Sequence, residues 1–152
     1  MKIIVVGAGK VGYSVAKILS EEGHDITVID RDPETITHLS NELDVICVEG
    51  SATNHETLLG AGAAEADLLM AATQQDEVNM VCGITARKLG TKHVIARIRD
   101  TEYLRQTEFL REVLGLSITI NPEYECAKEI ARILRFPSAA RVDTFSKGLS
   151  LI

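Results

Sequence analysis

Short runs of apolar, β-branched residues alternate along this chain with longer stretches whose apolar positions recur every three or four residues. That alternation predicts parallel strands joined by crossover helices. The first run, Ile3 to Val6, is apolar at every position, as expected of a strand covered on both faces. Val11, Val15, Ile18 and Leu19 then fall on one helical stripe, and Gly23 follows as the residue that ends the helix. The unit repeats. Ile26 to Ile29 reads as a second strand, and Asp32-Pro33 opens a second helix. Val45 to Val48 is a third strand, His55 to Leu59 a short helix and Leu68 to Met70 a fourth strand. Val78, Val81, Cys82, Thr85 and Leu89 mark one face of a longer helix closed by Gly90. Val94 to Ala96 is a fifth strand, residues 102–114 are one helix, Ile118 to Ile120 is a sixth strand, and Asn121-Pro122-Glu123 opens a last helix. Six strands and six helices by about residue 135 match a Rossmann-like doubly wound parallel sheet of order 3-2-1-4-5-6, with helices on both faces and a ligand crevice where the order reverses.

Composition narrows this picture without redirecting it. The 152 residues are 45% hydrophobic and 25% charged, ordinary for a globular domain. A net charge of −6 argues against a general nucleic-acid binder. Cys47, Cys82 and Cys126 are odd in number and form no CxxC pair, so neither a disulfide framework nor a zinc site is expected and a reducing cytosol fits. No signal-peptide pattern and no apolar window of about 20 residues is present, so any membrane role is expected to be peripheral. Beyond Phe136-Pro137-Ser138 the character changes to that of a linker. The apolar run that closes the chain predicts a piece of a longer protein. Residues 1–135 are thus expected to be the nucleotide-binding domain, and 136–152 a linker and the start of a following domain.

The strongest chemical signal is Gly7-Ala8-Gly9-Lys10-Val11-Gly12, a GxGxxG placed between a buried strand and an amphipathic helix. Gly7 permits the tight turn, Gly9 admits a pyrophosphate to the backbone, and Gly12 lets the helix pack closely on the strand. The helix N-terminus then faces the anion with unpaired N–H groups and the positive end of its dipole. Asp30 closes the second strand 18 residues beyond Gly12, placed to accept from ribose hydroxyls. Its charge opposes a 2′-phosphate and favours NAD or another adenine nucleotide over NADP. Arg31 reads either as a partner for such a phosphate or as a solvated charge.

Three further clusters end predicted strands, at the edge where such sheets bind ligands. Gly50-Ser51-Ala52-Thr53 reads as a contact near the adenine or as a helix-capping turn. Ala71-Ala72-Thr73 reads as a passage for ligand or as a plain loop. Arg97 and Arg99 are placed at the end of the fifth strand, where with Lys10 they would surround phosphate; a surface ion pair is the other reading for Arg99. No reaction is visible. His24, His38, His55 and His93 read as surface or capping residues, and Asp76, Glu77 and Asn79 as structural residues at a helix start. No nucleophile elbow, Walker lysine motif, metal-ligand spacing or carboxylate pair occurs, so no catalytic or metal-binding residue is assigned. An NAD-dependent oxidoreductase, or its cofactor-binding fragment, stands as the alternative.

The chain resembles the nucleotide-binding domain of Trk-type potassium-uptake regulators, the KTN or RCK family. The resemblance rests on KIIVVGAGKVGYSVAKIL, VIDRDPE, VEGSATN, AATQQDEVNM, VIARIRD and NPE, and spans nearly all of the sequence. It implies a cytoplasmic regulatory subunit, peripheral at the inner face of the membrane, that docks on a Trk-type potassium transporter. It also implies NAD(H) or ATP/ADP as ligand, and a homo-oligomer in which dimers build a ring. The same resemblance puts Gly7, Gly9, Lys10, Gly12, Thr73 and Arg97 near phosphate, Asp30 on ribose, and Arg31, Ser51 and Thr53 near adenosine.

Overall fold

The structure is a computed structural model that describes residues 1–135 together with the strand residues 143–145 and 149–151. Apart from those strand residues, the expected linker and start of a following domain, 136–152, lies outside the described residues. Two compact units divide at Ile120 and Asn121.

In the first unit the elements follow as β1 (Lys2–Val6), α1 (Lys10–Glu21), β2 (Asp25–Asp30), α2 (Pro33–Glu42), β3 (Ile46–Glu49), α3 (His55–Gly60), β4 (Leu68–Ala71), α4 (Asp76–Leu89), β5 (His93–Arg97), α5 (Thr101–Arg105), α6 (Thr107–Leu114) and β6 (Ile118–Ile120). The strands form one parallel sheet of order β3-β2-β1-β4-β5-β6, the doubly wound order expected. The order reverses between β1 and β4, so their C-terminal ends open the crevice.

β1 is buried on both sides because its side chains alternate between two cores. Ile3 and Val5 join Ala16, Ile26, Val28 and Leu39, the core covered by α1 and α2. Ile4 and Val6 join Ile29, Leu58, Leu69, Cys82, Ala86, Val94 and Ala96, the core covered by α3 and α4. Burying one such aliphatic side chain is worth about 1.5–3 kcal/mol.

Three local expectations change. The helix expected over 102–114 is two, because Gln106 leaves the helical region at φ −109°, ψ 15° and separates α5 from α6. On α1 the apolar stripe is rotated. Ile18 is 55% exposed, while Gly12 and Ala16 form the buried contact, since small residues let the helix approach β1. On α4 Val81 is likewise 45% exposed, and Asn79, Cys82, Gly83 and Ala86 face the sheet. A Cβ on Gly83 would stand 2.7 Å from Leu116 Cδ2 and 3.0 Å from Val94 Cγ1, so a larger residue there would make those side chains shift.

The helix ends follow the expected chemistry. Gly23 takes φ +82° just past α1, and Asp32 caps α2 by accepting the Thr35 N–H at 3.1 Å with Pro33 in the first turn. The second unit contains α7 (Pro122–Arg135), capped by Asn121 Oδ1 accepting the Tyr124 N–H at 3.0 Å, and two antiparallel strands, β7 (Asp143–Phe145) and β8 (Leu149–Leu151). No helix among the described residues is long and apolar enough to cross a membrane.

Candidate functional site

The turn after β1 is shaped by what its glycines exclude. Gly7 sits at φ +88° with its N–H on the Ile29 carbonyl at 2.8 Å, and a Cβ there would meet Thr73 N at 2.9 Å. A Cβ on Gly12 would stand 1.8 Å from the Gly7 carbonyl oxygen. Both positions are closed by protein. Gly9 differs: a Cβ there would meet nothing within 4 Å, and its ordinary φ of −65° imposes no need for glycine. Open space lies over Gly9 at the start of α1, which has no side-chain cap. Orphan N–H groups and the positive helix end therefore face that space.

Asp30 borders the same turn. Its Oδ2 accepts the Ala8 N–H at 2.7 Å and its Oδ1 accepts the Asp32 N–H at 3.0 Å. Each carboxylate oxygen retains acceptor capacity for a hydroxyl. On the far side of Asp30, the Gly50 N–H donates to the Asp30 carbonyl at 2.9 Å, tying the β3 exit to the β2 exit. A Cβ on Gly50 would stand 2.8 Å from Thr57 Cγ2, so this turn too is drawn close by its glycine. Ser51 and Thr53 are exposed and share a hydroxyl hydrogen bond of 2.9 Å. Ala52 points into the core, as does Ala8 on the opposite face, and Ala72 is buried as well. These three leave only backbone to a ligand. Lys10 and Arg31 are exposed at the rim, and Val11 is half-buried.

On the other side of the crevice, Ala72 N–H donates to the Val6 carbonyl at 2.8 Å and Thr73 lies against Gly7. Arg97 ends β5 with only 7% of its surface exposed, and its Nη1 donates to the Thr73 carbonyl at 3.3 Å. Contacts thus run unbroken from Gly50 through Asp30, Ala8 and Gly7 to Thr73 and Arg97. Arg99 is not at the strand end: it lies two residues past it, and its Nη2 donates to the Gln74 carbonyl.

Two residues in this arc carry more than the sequence suggested. Asp76 and Asn79, read as residues of a helix start, are both buried. Asp76 Oδ2 accepts the N–H groups of Arg99 and Asp100 at 2.8 and 2.7 Å, while its Oδ1 is buried with no hydrogen-bond partner among the described residues. Asn79 Oδ1 accepts from Thr73 N and Oγ1 at 2.9 and 2.7 Å, and its Nδ2 donates to the carbonyls of Thr73 and Arg97 at 3.2 and 2.8 Å. The available signal was spacing: Asn79 stands in helical register with Cys82, Gly83 and Ala86 on the sheet-facing side.

Two of the histidines are placed beside acids of their own segments. His38 and His24 lie 3.6 and 3.8 Å from glutamates of their own neighbourhoods, Glu42 and Glu22. Among the described residues no cluster of three or more His, Cys, Asp or Glu side chains is placed to hold a metal ion.

The family model described as the TrkA-N domain matches residues 3–122. The chain belongs to the TrkA-N domain family. The sequence resemblance to Trk-type regulators is therefore borne out. Over 148 residues the chain is 39% identical to the Trk system potassium uptake protein TrkA homolog of Archaeoglobus fulgidus, covering 97% of this chain and 34% of that protein. It is 40% identical over 151 residues to TrkA of Haemophilus influenzae, covering 97% and 33%. The chain spans about a third of the length of these curated relatives. Among solved structures, the TrkA-N domain of the inner membrane protein ybaL from Escherichia coli superposes with a TM-score of 0.77 at 22% identity, covering 88% of this chain and 96% of that one. The GsuK channel bound to NAD gives 0.68 at 23% identity, over 78% and 21%. The AMP-bound C-terminal domain of Shewanella denitrificans Kef gives 0.71 at 22%, over 92% and 84%. At these identities the structural matches establish the fold.

Proposed function

We propose that this TrkA-N domain binds an adenine nucleotide at the C-terminal edge of its sheet and passes the binding event to a potassium transporter. The observation that carries the reading is the open space over Gly9, at an uncapped helix N-terminus beside the Asp30 carboxylate. That combination suits a phosphate on the backbone N–H groups and a ribose on the acid. The exposed Ser51 and Thr53 hydroxyls stand toward the adenosine end, with Arg31 at the rim. Lys10, Thr73 and Arg97 stand toward the phosphates.

NAD(H) is the ligand favoured by Asp30, with ATP or ADP as the alternative, and the structural relatives include a GsuK channel bound to NAD and an AMP-bound Kef domain. Uptake proteins of the Trk system among the relatives support a transporter as partner. The domain then acts from the cytoplasmic face, as part of a homo-oligomer whose geometry responds to the ligand. Residues 1–135 serve as the nucleotide domain, and 136–152 lead into a following one. A ligand reaching from the glycine turn toward Arg97 spans β1, β4 and β5, and so favours one spacing of these strands over another. Only such differential binding shifts a conformational equilibrium.

Calorimetry of the chain with NADH, NAD, ATP, ADP and NADPH tests the reading. Binding of at least one adenine nucleotide, with NADPH weaker than NADH, is expected; no binding by any of the five overturns it. Small-angle scattering with ATP and with NADH tests the coupling, for which two different oligomer shapes are expected and one common shape counts against it.

A further inference from the structure

The fully buried side chain of Asn79 uses its whole hydrogen-bonding capacity on the backbone and hydroxyl of two residues. Its two donated bonds go to the Thr73 and Arg97 carbonyls, and its two accepted bonds come from Thr73 N–H and Oγ1–H. A primary amide has two N–H donors and an oxygen with two lone pairs, so no valence is left over. Three of the four bonds are made with Thr73 and one with the Arg97 carbonyl, so the amide ties the β4 exit to the β5 exit at one separation. Moving the β4 exit relative to the β5 exit breaks at least one of the four bonds of a side chain that is itself fully buried, where an unpaired polar group is costly.

The constraint extends in both directions. Thr73 is pressed against Gly7, where even a Cβ would stand 2.9 Å from Thr73 N, so the glycine turn is spaced from Thr73 by backbone contact. One helical turn before Asn79, Asp76 takes the N–H groups of Arg99 and Asp100 and fixes the chain just beyond Arg97. Asp76 holds that position with one carboxylate oxygen buried and without a hydrogen-bond partner among the described residues. A purely structural clasp gains nothing from a half-satisfied buried acid.

We infer that Asn79, backed by Asp76, is the positioning residue that sets the width of the phosphate end of the crevice by fixing Thr73 and Arg97 at one separation from the glycine turn. The inference rests on the nucleotide reading above. It assigns to α4 the discrimination between ligands by their phosphates. The adenosine end, built from Asp30 and the turn at Gly50, shares no hydrogen bond with Asn79 and meets it only through the glycine turn and Thr73.

The test compares ADP with adenosine on the full chain, as wild type, Asn79→Ser and Asp76→Asn, with circular dichroism to establish folding. Asn79→Ser is expected to weaken ADP at least tenfold and to change adenosine by less than twofold. Asp76→Asn is expected to move the same ratio in the same direction by a smaller factor. A purely structural role would weaken both ligands together, so equal losses for ADP and adenosine, or an unchanged ADP affinity in a folded variant, overturn the inference. A measurement on the wild type needs no variant to fold: ADP should shift the Asn79 side-chain amide resonances and adenosine should leave them in place, and an amide pair indifferent to ADP overturns the inference equally. Wild-type protein that binds neither ligand overturns the nucleotide reading and this inference with it. ADP binding with an unchanged ratio in both variants overturns the inference alone.

Discussion

Asp30 accepts the backbone N–H of Ala8 at 2.7 Å, so the acid at the end of β2 holds the glycine turn as well as facing the ligand edge. Removing the carboxylate therefore has two effects. Asp30→Ala deletes the acceptor proposed for ribose and strands the Ala8 N–H in the turn, each worth about 1–3 kcal/mol. Adenine-nucleotide affinity is expected to fall by roughly ten- to a hundredfold, with a lower melting temperature even without ligand. Asp30→Asn keeps an acceptor for Ala8 and should recover most of the melting temperature but little of the affinity. Calorimetry and thermal denaturation on the same samples separate the two effects.

At the opposite edge of the sheet, Asp67 accepts from Lys92 Nζ at 2.7 Å and from the Lys2 N–H at 2.9 Å. The Lys92 ammonium first, and the Lys2 N–H with it, hold its carboxyl below the usual carboxylate range. A depressed folded-state pKa gives stability that is present above the unfolded value, near about 3.9, and is lost as pH falls through the folded value. The melting-temperature gap between wild type and Asp67→Asn is expected to hold steady from neutral pH to about pH 5 and to close below about pH 4. Nucleotide affinity should not change, because Asp67 stands at the N-terminal edge of β4. A gap that widens on acidification would contradict this assignment.

The six strands of the parallel sheet were legible as short, mostly apolar and β-branched runs, whereas β7 and β8 were not expected; the glycine motif was legible because its chemistry is local: Gly7, Gly9 and Gly12 lie within one turn of chain. Asp30 was legible through its spacing from that turn. Periodicity failed where small residues do the packing. On α1 and α4 the large apolar residues Ile18 and Val81 are exposed while Ala16, Gly83 and Ala86 face the sheet, since tight approach to a sheet favours small side chains over large ones. Asn79 was read only as a structural residue of a helix start, because the Thr73 and Arg97 groups that it binds lie on strand exits known only once the sheet is formed. The break at Gln106 carries neither Gly nor Pro and left no local mark.

Burial sorts the cysteines. Cys82 lies on the core-facing side of α4, and desolvation pushes its thiol up to about 12, so almost no thiolate exists near neutral pH. Cys47 is half-buried and also raised by burial, whereas Cys126 is exposed on α7. Iodoacetamide at pH 7.5 is expected to modify Cys126 first, Cys47 slowly, and Cys82 only on addition of denaturant. Peptide mass spectrometry over a time course checks the order. Modification of Cys82 in the native protein at the rate of Cys126 would mean that α4 detaches from the sheet far more readily than its packing implies.

The glycines of the motif give the sharpest separation between folding and binding. At Gly12 an alanine Cβ would lie 1.8 Å from the Gly7 carbonyl, a backbone atom that cannot turn aside, so Gly12→Ala is expected to cost more than the about 1–3 kcal/mol of ordinary overpacking. At Gly9 the same methyl meets nothing within 4 Å, and φ of −65° suits alanine. There the poorer helix cap and the reduced freedom of the unfolded chain offset one another to within about 1 kcal/mol, leaving stability nearly unchanged. The methyl would nonetheless occupy the space through which a phosphate reaches the N–H groups of α1. Gly9→Ala is therefore expected to melt within a few degrees of wild type and to bind ADP at least tenfold more weakly, and Gly12→Ala to lose both. Denaturation and calorimetry on the pair decide the point. Undiminished ADP binding by Gly9→Ala would place the phosphates elsewhere, because no ligand seated on that helix end could ignore a methyl group in its path.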